Sequence, residues 1–207
     1  MSVAARLALL GIELPAVAAP VAAYVPALRW GDLVHTSGQL PFVGGVLVAT
    51  GRVGAEVSVP QAADAARTAT LNALAAVASV SGGLDAVARV VKVVVYVAST
   101  ADFHAQPAVA NGASVLLGEI FGDRGAHVRS AIGVAALPLG SPVEVELTVA
   151  LAWRGARLAR RSPGAAVVPT GRQATGRGGA GGRRRAGGLP GPRAGSSRAR
   201  RTRRGTC

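Results

Sequence analysis

Residues 128–151, VRSAIGVAALPLGSPVEVELTVAL, decide the fold. Val143, Val145, Leu147, Val149 and Leu151 alternate with Glu144, Glu146 and Thr148, the period of two that gives a strand one apolar and one polar face. The LGSP turn separates this strand from an earlier one, Ser130–Leu137, which ends at Pro138 because proline cannot donate to a sheet ladder. A final strand that is apolar on one side only needs a cover on that side and leaves the other wet or in an interface.

The cover lies upstream. Ser58 with Gln61 three positions on forms a capping box, Pro60 suits a first helical turn, and Ala66, Ala69, Leu74, Val77 and Ala78 follow helical spacing until Gly82-Gly83 stops the helix. Val87–Ala98 is apolar on both faces apart from Arg89 and Lys92, and reads as a central strand. Asp102 is the expected cap of a second helix whose apolar stripe runs through Val109, Leu116, Leu117, Ile120 and Phe121 to Gly122. Before all of these, AYVPALRW and LVHTSGQLP flank Gly31-Asp32 as a hairpin, and Gly44-Gly45 turns into a short strand, VLVAT. The order β-β-β-α-β-α-β-β predicts an α+β sandwich, a mixed sheet with two helices on one face.

Composition divides the chain in two. The 207 residues are half apolar and carry a net charge of +13, yet residues 155–207 hold fourteen Arg and no acid, while nine bases and ten acids leave residues 1–154 near −1. The expected organisation is a lead segment over residues 1–20, a domain over 21–153 and an Arg/Gly-rich disordered tail over 154–207, too poor in large apolar side chains to offset ordering entropy. GGRRRAGG and RARRTRR carry no aromatics and would bind nucleic acid only by non-specific phosphate attraction. The single cysteine is Cys207, so the domain has no disulfide framework or thiolate site. Arg6 followed by LALLGIELPAVAAP resembles a signal peptide that Glu13 and Pro15 interrupt, and no other apolar run approaches the ~20 residues of a spanning helix. A cytoplasmic protein without membrane attachment is expected.

Three features carry candidate chemistry. Glu144 and Glu146 share the polar face of the last strand, as two solvated carboxylates or as part of an interface. Arg129 opens the preceding strand among small apolar residues and needs an anion, either a protein carboxylate or an acid-bearing ligand held by the planar guanidinium fork. His35, His104 and His127 show no metal-ligand spacing and read as structural, although His127 lies two residues before Arg129 and could share its cleft.

Taken together, PVAAYVPALRWGDLVHTSGQLP, GLDAVARVVKVVVYVASTADF and VRSAIGVAALPLGSPVEVELTVAL make residues 20–152 resemble the RidA/YjgF family, also known as the L-PSP family. The resemblance implies a chorismate-mutase-like fold, a homotrimer with clefts between subunits, and a cofactor-independent deaminase releasing 2-keto acid and ammonia from 2-iminobutanoate or 2-iminopropanoate. In that family an arginine matching Arg129 clamps the substrate carboxylate. A glutamate six residues after the strand-ending proline, here Glu144, orders the attacking water, and Tyr24, Ser37, Gly38 and Asn111 match substrate-binding positions. Between Phe103 and Arg129 this chain is several residues longer than the best-known deaminases, and Ala131 stands where some members carry cysteine. A non-catalytic binder of small carboxylates is the alternative, and an RNA-binding protein or endoribonuclease a further one.

Overall fold

The computed structural model describes residues 1–17 and 23–152, so the Arg-rich tail and its expected nucleic-acid binding lie outside the described residues. Five strands form one mixed sheet in the order β1 (Ala27–Trp30), β2 (Leu33–Thr36), β7 (Val143–Leu151), β5 (Val87–Ala98), β6 (Val128–Val134). Neighbours run antiparallel except β5 and β6, which are parallel and joined through helix α3 (Gln106–Phe121). A separate two-stranded hairpin, β3 (Phe42–Val43) and β4 (Val46–Leu47), turns at Gly44-Gly45, both in the left-handed region. The short strand expected after that turn is thus paired only within its own hairpin.

Helix α2 (Val59–Ser81) starts as its sequence dictates. The Ser58 side chain accepts from the Gln61 backbone N–H, the Gln61 side chain accepts from the Ser58 N–H, and Gly82 closes the helix at φ 78°. Helix α3 starts later than expected: its N-cap is Ala105, which offers no side-chain bond, and Asp102 lies in the preceding turn, where Thr100 holds its carboxyl below the usual range. Pro107, in the first turn of α3, tolerates the missing donor there.

Both helices cover one face of the sheet. Val93, Val95 and Val97 of β5 and Val143, Val145, Leu147 and Val149 of β7 are buried beneath Ala66, Ala69, Ala73 and Val77 of α2 and Val109, Leu116, Leu117 and Ile120 of α3. Alanines on α2 let the helices approach closely, and Gly112 of α3 lies so near the Ala63 carbonyl that a methyl group there would overlap it. Two register shifts against β7, between Val87 and Arg89 and between Val90 and Lys92, put Val87, Val90 and Val93 all in the core. These bulges explain why the strand reads as a continuous apolar run.

Residues 1–20, expected as a lead segment, hold a short helix, α1 (Val3–Leu9), capped by Ser2 and packed against α3. Val3 is 1% exposed and donates its backbone N–H to Asp85 Oδ1 at 2.6 Å. A first turn has unpaired N–H groups, and a carboxylate from elsewhere in the fold satisfies one here. No helix among the described residues is long and apolar enough to cross a membrane.

Candidate functional site

The six residues matched to substrate chemistry fall into two clusters. In the first, the loop after β2 is laid along β7: Gln39 N–H donates to the Val145 carbonyl at 2.9 Å and Val145 N–H returns to Gln39 at 3.0 Å. Between these bonds and β2, Gly38 sits against the Glu144 side chain so closely that a Cβ would overlap the carboxylate. Ser37 Oγ donates to the Val25 carbonyl at 2.7 Å and its N–H to Pro26 at 2.9 Å, tying in the segment that carries Tyr24. Tyr24 itself is 44% exposed. Asn72 of α2, which sequence reading did not single out, donates to the Leu40 and Phe42 carbonyls at 2.8 and 3.1 Å and anchors the far side of the loop.

Glu144 stands on the uncovered face, directly across from Tyr96 on β5. Burial pushes its carboxyl above the usual range, and the neighbouring Glu146 carboxylate adds to the rise. Tyr96 was missed by sequence reading; its hydroxyl reaches Glu146 Oε2 at 3.5 Å, and burial followed by the two carboxylates holds its phenol above the ordinary value. A lone tyrosine in a valine run was the available signal.

The second cluster surrounds Arg129. Arg129 pairs in register with buried Val93 and therefore projects to the helix-covered side, at the sheet edge formed by β6. Its Nη1 donates to Asn111 Oδ1 at 2.9 Å and to Ser114 Oγ at 3.0 Å, and Nη2 makes a long contact of 3.4 Å with the Pro107 carbonyl. Asn111 therefore meets Arg129 despite the longer intervening segment. The structural ion pair that Arg129 could have made is not formed among the described residues, where Arg67 with Glu119 is the single salt bridge. A cleft of about 470 Å³ adjoins Arg129 and is lined also by Ser114, His127, Asp123 and three glycines. His127, read from sequence as structural, shares this cleft and contacts Ser114 at 3.0 Å. His35 contacts Thr148 on the opposite face.

Arg129 and Glu144 thus lie on opposite faces of one sheet, on strands separated by β5, with no hydrogen bond or ion pair between them. No group of three His, Cys, Asp or Glu among the described residues could hold a metal ion.

Such a mixed sheet with both main helices on one face is the chorismate-mutase-like α+β architecture. The family model described as "YjgF/chorismate mutase-like, putative endoribonuclease" matches residues 4–151, and the chain belongs to this family. It is similar to Protein TCP17 of Trypanosoma cruzi, 47% identical over 152 residues that cover 72% of this chain and 94% of the relative. Among solved structures it resembles Atu1372 of Agrobacterium tumefaciens, a protein of unknown function, at 38% identity and TM-score 0.66, covering 72% of this chain and 92% of the other. It also resembles a protein of Shewanella oneidensis MR-1, at 34% identity and TM-score 0.71, covering 73% and 100%.

Proposed function

We propose that this protein hydrolyses small 2-imino acids, such as 2-iminopropanoate and 2-iminobutanoate, to the 2-keto acid and ammonia, at a site shared between subunits. One observation carries the reading. Arg129 is oriented by Asn111 and Ser114 through Nη1, while its Nε has no partner among the described residues and Nη2 only a long one. The Nε–Nη2 edge is then the fork on which a ligand carboxylate fits bidentately. The imine carbon beside that carboxylate is already electrophilic, so positioning and one acid–base group make a sufficient catalytic apparatus.

Glu144 supplies the acid–base group. A carboxyl raised above its usual range by burial and by Glu146 takes a proton from water as the oxygen adds to the imine carbon and passes it to the nitrogen. The proton of the new hydroxyl then follows the same route as the C=O bond forms, the C–N bond breaks and ammonia leaves. Gly38 leaves room for the Glu144 carboxylate beside the loop backbone, and Ser37 and Tyr24 bound the same side of the pocket. Since one chain holds Arg129 and Glu144 on opposite faces, the reading requires Arg129 of one subunit to meet Glu144 of the next. A closed ring does this at every interface, and the family resemblance makes it a trimer. Leu28 and Trp30, 57% and 77% exposed on the same uncovered face, are the apolar surface such an interface would bury. A cytoplasmic enzyme without membrane attachment belongs to the same reading.

Subunit mixing tests both halves at once. Arg129→Lys and Glu144→Gln proteins, each assayed for ammonia and keto-acid release from enzymatically generated 2-aminoacrylate, are each expected to lose on the order of a hundredfold in turnover. Denatured together and refolded at equal amounts, they should regain activity at about a quarter of the interfaces, where an intact Arg129 meets an intact Glu144. Mixtures no more active than the parents would refute the shared site. An inactive wild type that binds pyruvate through Arg129 would replace the enzyme with a carboxylate-binding protein.

A further inference from the structure

The cleft beside Arg129 contains a hydrogen-bonded chain that the proposed chemistry does not use. His127 Nδ1 faces the Gly125 carbonyl, His127 Nε2 lies 3.0 Å from Ser114 Oγ, and Ser114 Oγ lies 3.0 Å from Arg129 Nη1. The direction of this chain follows from the groups at its ends. A carbonyl only accepts, so Nδ1 carries a proton; a guanidinium only donates, so Ser114 Oγ accepts from it. In neutral His127 the remaining nitrogen, Nε2, holds a lone pair, and the Ser114 hydroxyl donates to it. Every hydrogen of the relay is then placed without leaving a donor facing a donor.

We propose that Ser114 and His127 are positioning residues for Arg129: they lock Nη1 so that the Nε–Nη2 edge stays available to a carboxylate, and they couple carboxylate uptake to protonation of His127. The inference rests on Arg129 being the carboxylate clamp. The coupling is electrostatic. A carboxylate bound to Arg129 sits one hydroxyl away from the imidazole, and a nearby anion favours the charged form of a base. The chain survives the added proton, because Ser114 Oγ has two lone pairs, one for Nε2–H and one for Nη1–H, and its own hydrogen can turn back to the helix carbonyl four residues earlier.

None of the other charged groups around the cleft is hydrogen-bonded to this relay. From the turn after α3, Asp123 lines the cleft but makes no bond to the chain, and Arg124 donates to the Val87 carbonyl at 3.0 Å. From β5, Arg89 Nη2 contacts the Ala126 carbonyl at 3.4 Å, and Lys92 stands in register with Val128 on the exposed side. The residues of α3 that contact Arg129 are uncharged. Glu144 also changes charge with acidification, so the test is run in parallel on the Glu144→Gln protein.

Titration calorimetry with pyruvate, which stays ionised throughout, measures the coupling between pH 8 and pH 5. In the full-length protein, affinity should rise by about three- to tenfold as pH falls, in the Glu144→Gln background as well, with proton uptake visible as a dependence of the heat on buffer. His127→Gln, which can still accept from Ser114, should flatten the profile. Ser114→Ala should weaken binding about five- to tenfold at every pH, and Ser114→Thr should restore it. Nitrogen shifts of the His127 ring in the unliganded protein should report the Nδ1–H form, a readout that needs no ligand.

An unchanged pH profile in His127→Gln, wild-type affinity in Ser114→Ala, or a ring protonated at Nε2 alone would overturn the relay. Pyruvate binding that Arg129→Lys leaves intact, or no pyruvate binding at all, would instead remove the clamp on which both readings stand.

Discussion

The two faces of the sheet are made from the same strands and do opposite work. On the covered face, valines of β5 and β7 meet alanines of α2 and the stripe of α3, all essentially out of solvent. On the other face the intervening residues of those strands include Glu144, Glu146, Thr148, Tyr96 and Lys92 beside Val94 and Ala150, and no helix covers them. Alternation accounts for the contrast along β7 and from Lys92 onward in β5, since a strand offers successive side chains to opposite sides, and the two bulges return Val87 and Val90 to the core. The covered face supplies stability, and it tolerates little, because a close-packed interior has no room for an added atom. The uncovered face keeps two carboxylates together at an electrostatic cost, and burial, with Glu146 adding to it, raises the Glu144 carboxyl above its ordinary value.

That contrast can be broken from either side. The largest effect is expected on the covered face. Gly112→Ala would drive a methyl group into the Ala63 backbone, which cannot swing aside as a side chain can, so α2 and α3 must separate. A loss on the order of 3 kcal/mol or more, seen as a lower denaturation midpoint, should follow. A near-neutral result would mean the helices are not held at this distance.

Gly38→Ala should act in the opposite manner. The added methyl group meets the far end of the Glu144 side chain, which can rotate away, so stability should change by less than about 1 kcal/mol while turnover falls ten- to a hundredfold. Comparing the two glycines separates packing from site geometry. If Gly38→Ala lost as much stability as Gly112→Ala, the loop would be a core element and not a mount for Glu144.

The smallest effect is a pH dependence. A carboxyl whose folded value lies above its unfolded one binds its proton more tightly in the native state, so it costs stability while ionised, and the cost disappears as pH falls through the raised value. Burial, then Glu146, raises Glu144, so Glu144→Gln should be slightly more stable than wild type above neutrality and the difference should close toward pH 4. Urea midpoints of the two proteins at pH 8 and pH 4 measure it. A difference that widened on acidification would reverse the sign and show that Glu144 is stabilised as an anion.

Much of this was legible in the chain. The alternation of residues 143–151, the capping box at Ser58 and Gln61, and the glycines at the ends of α2 are local signals, set by backbone geometry within a few residues, and they assign the strands, one helix and the face that carries Glu144. The start of α3 was misread because Asp102 lies in a turn ahead of the helix, whose N-cap is Ala105 with no side-chain bond to mark it. Arg129 could be recognised as a cation in need of a partner, but β6 is a run of small and apolar residues with no alternation, so its sequence does not say which face Arg129 occupies. Register against β5 decides that, and only the tertiary structure brings Asn111 and Ser114 to the guanidinium from 18 and 15 residues away, with His127 joined through Ser114. The same holds for α1, whose docking depends on an Asp85 carboxylate 82 residues distant. Local periodicity fixes what each element is; which side chains converge depends on pairing between elements far apart in sequence, and no short stretch of the chain encodes it.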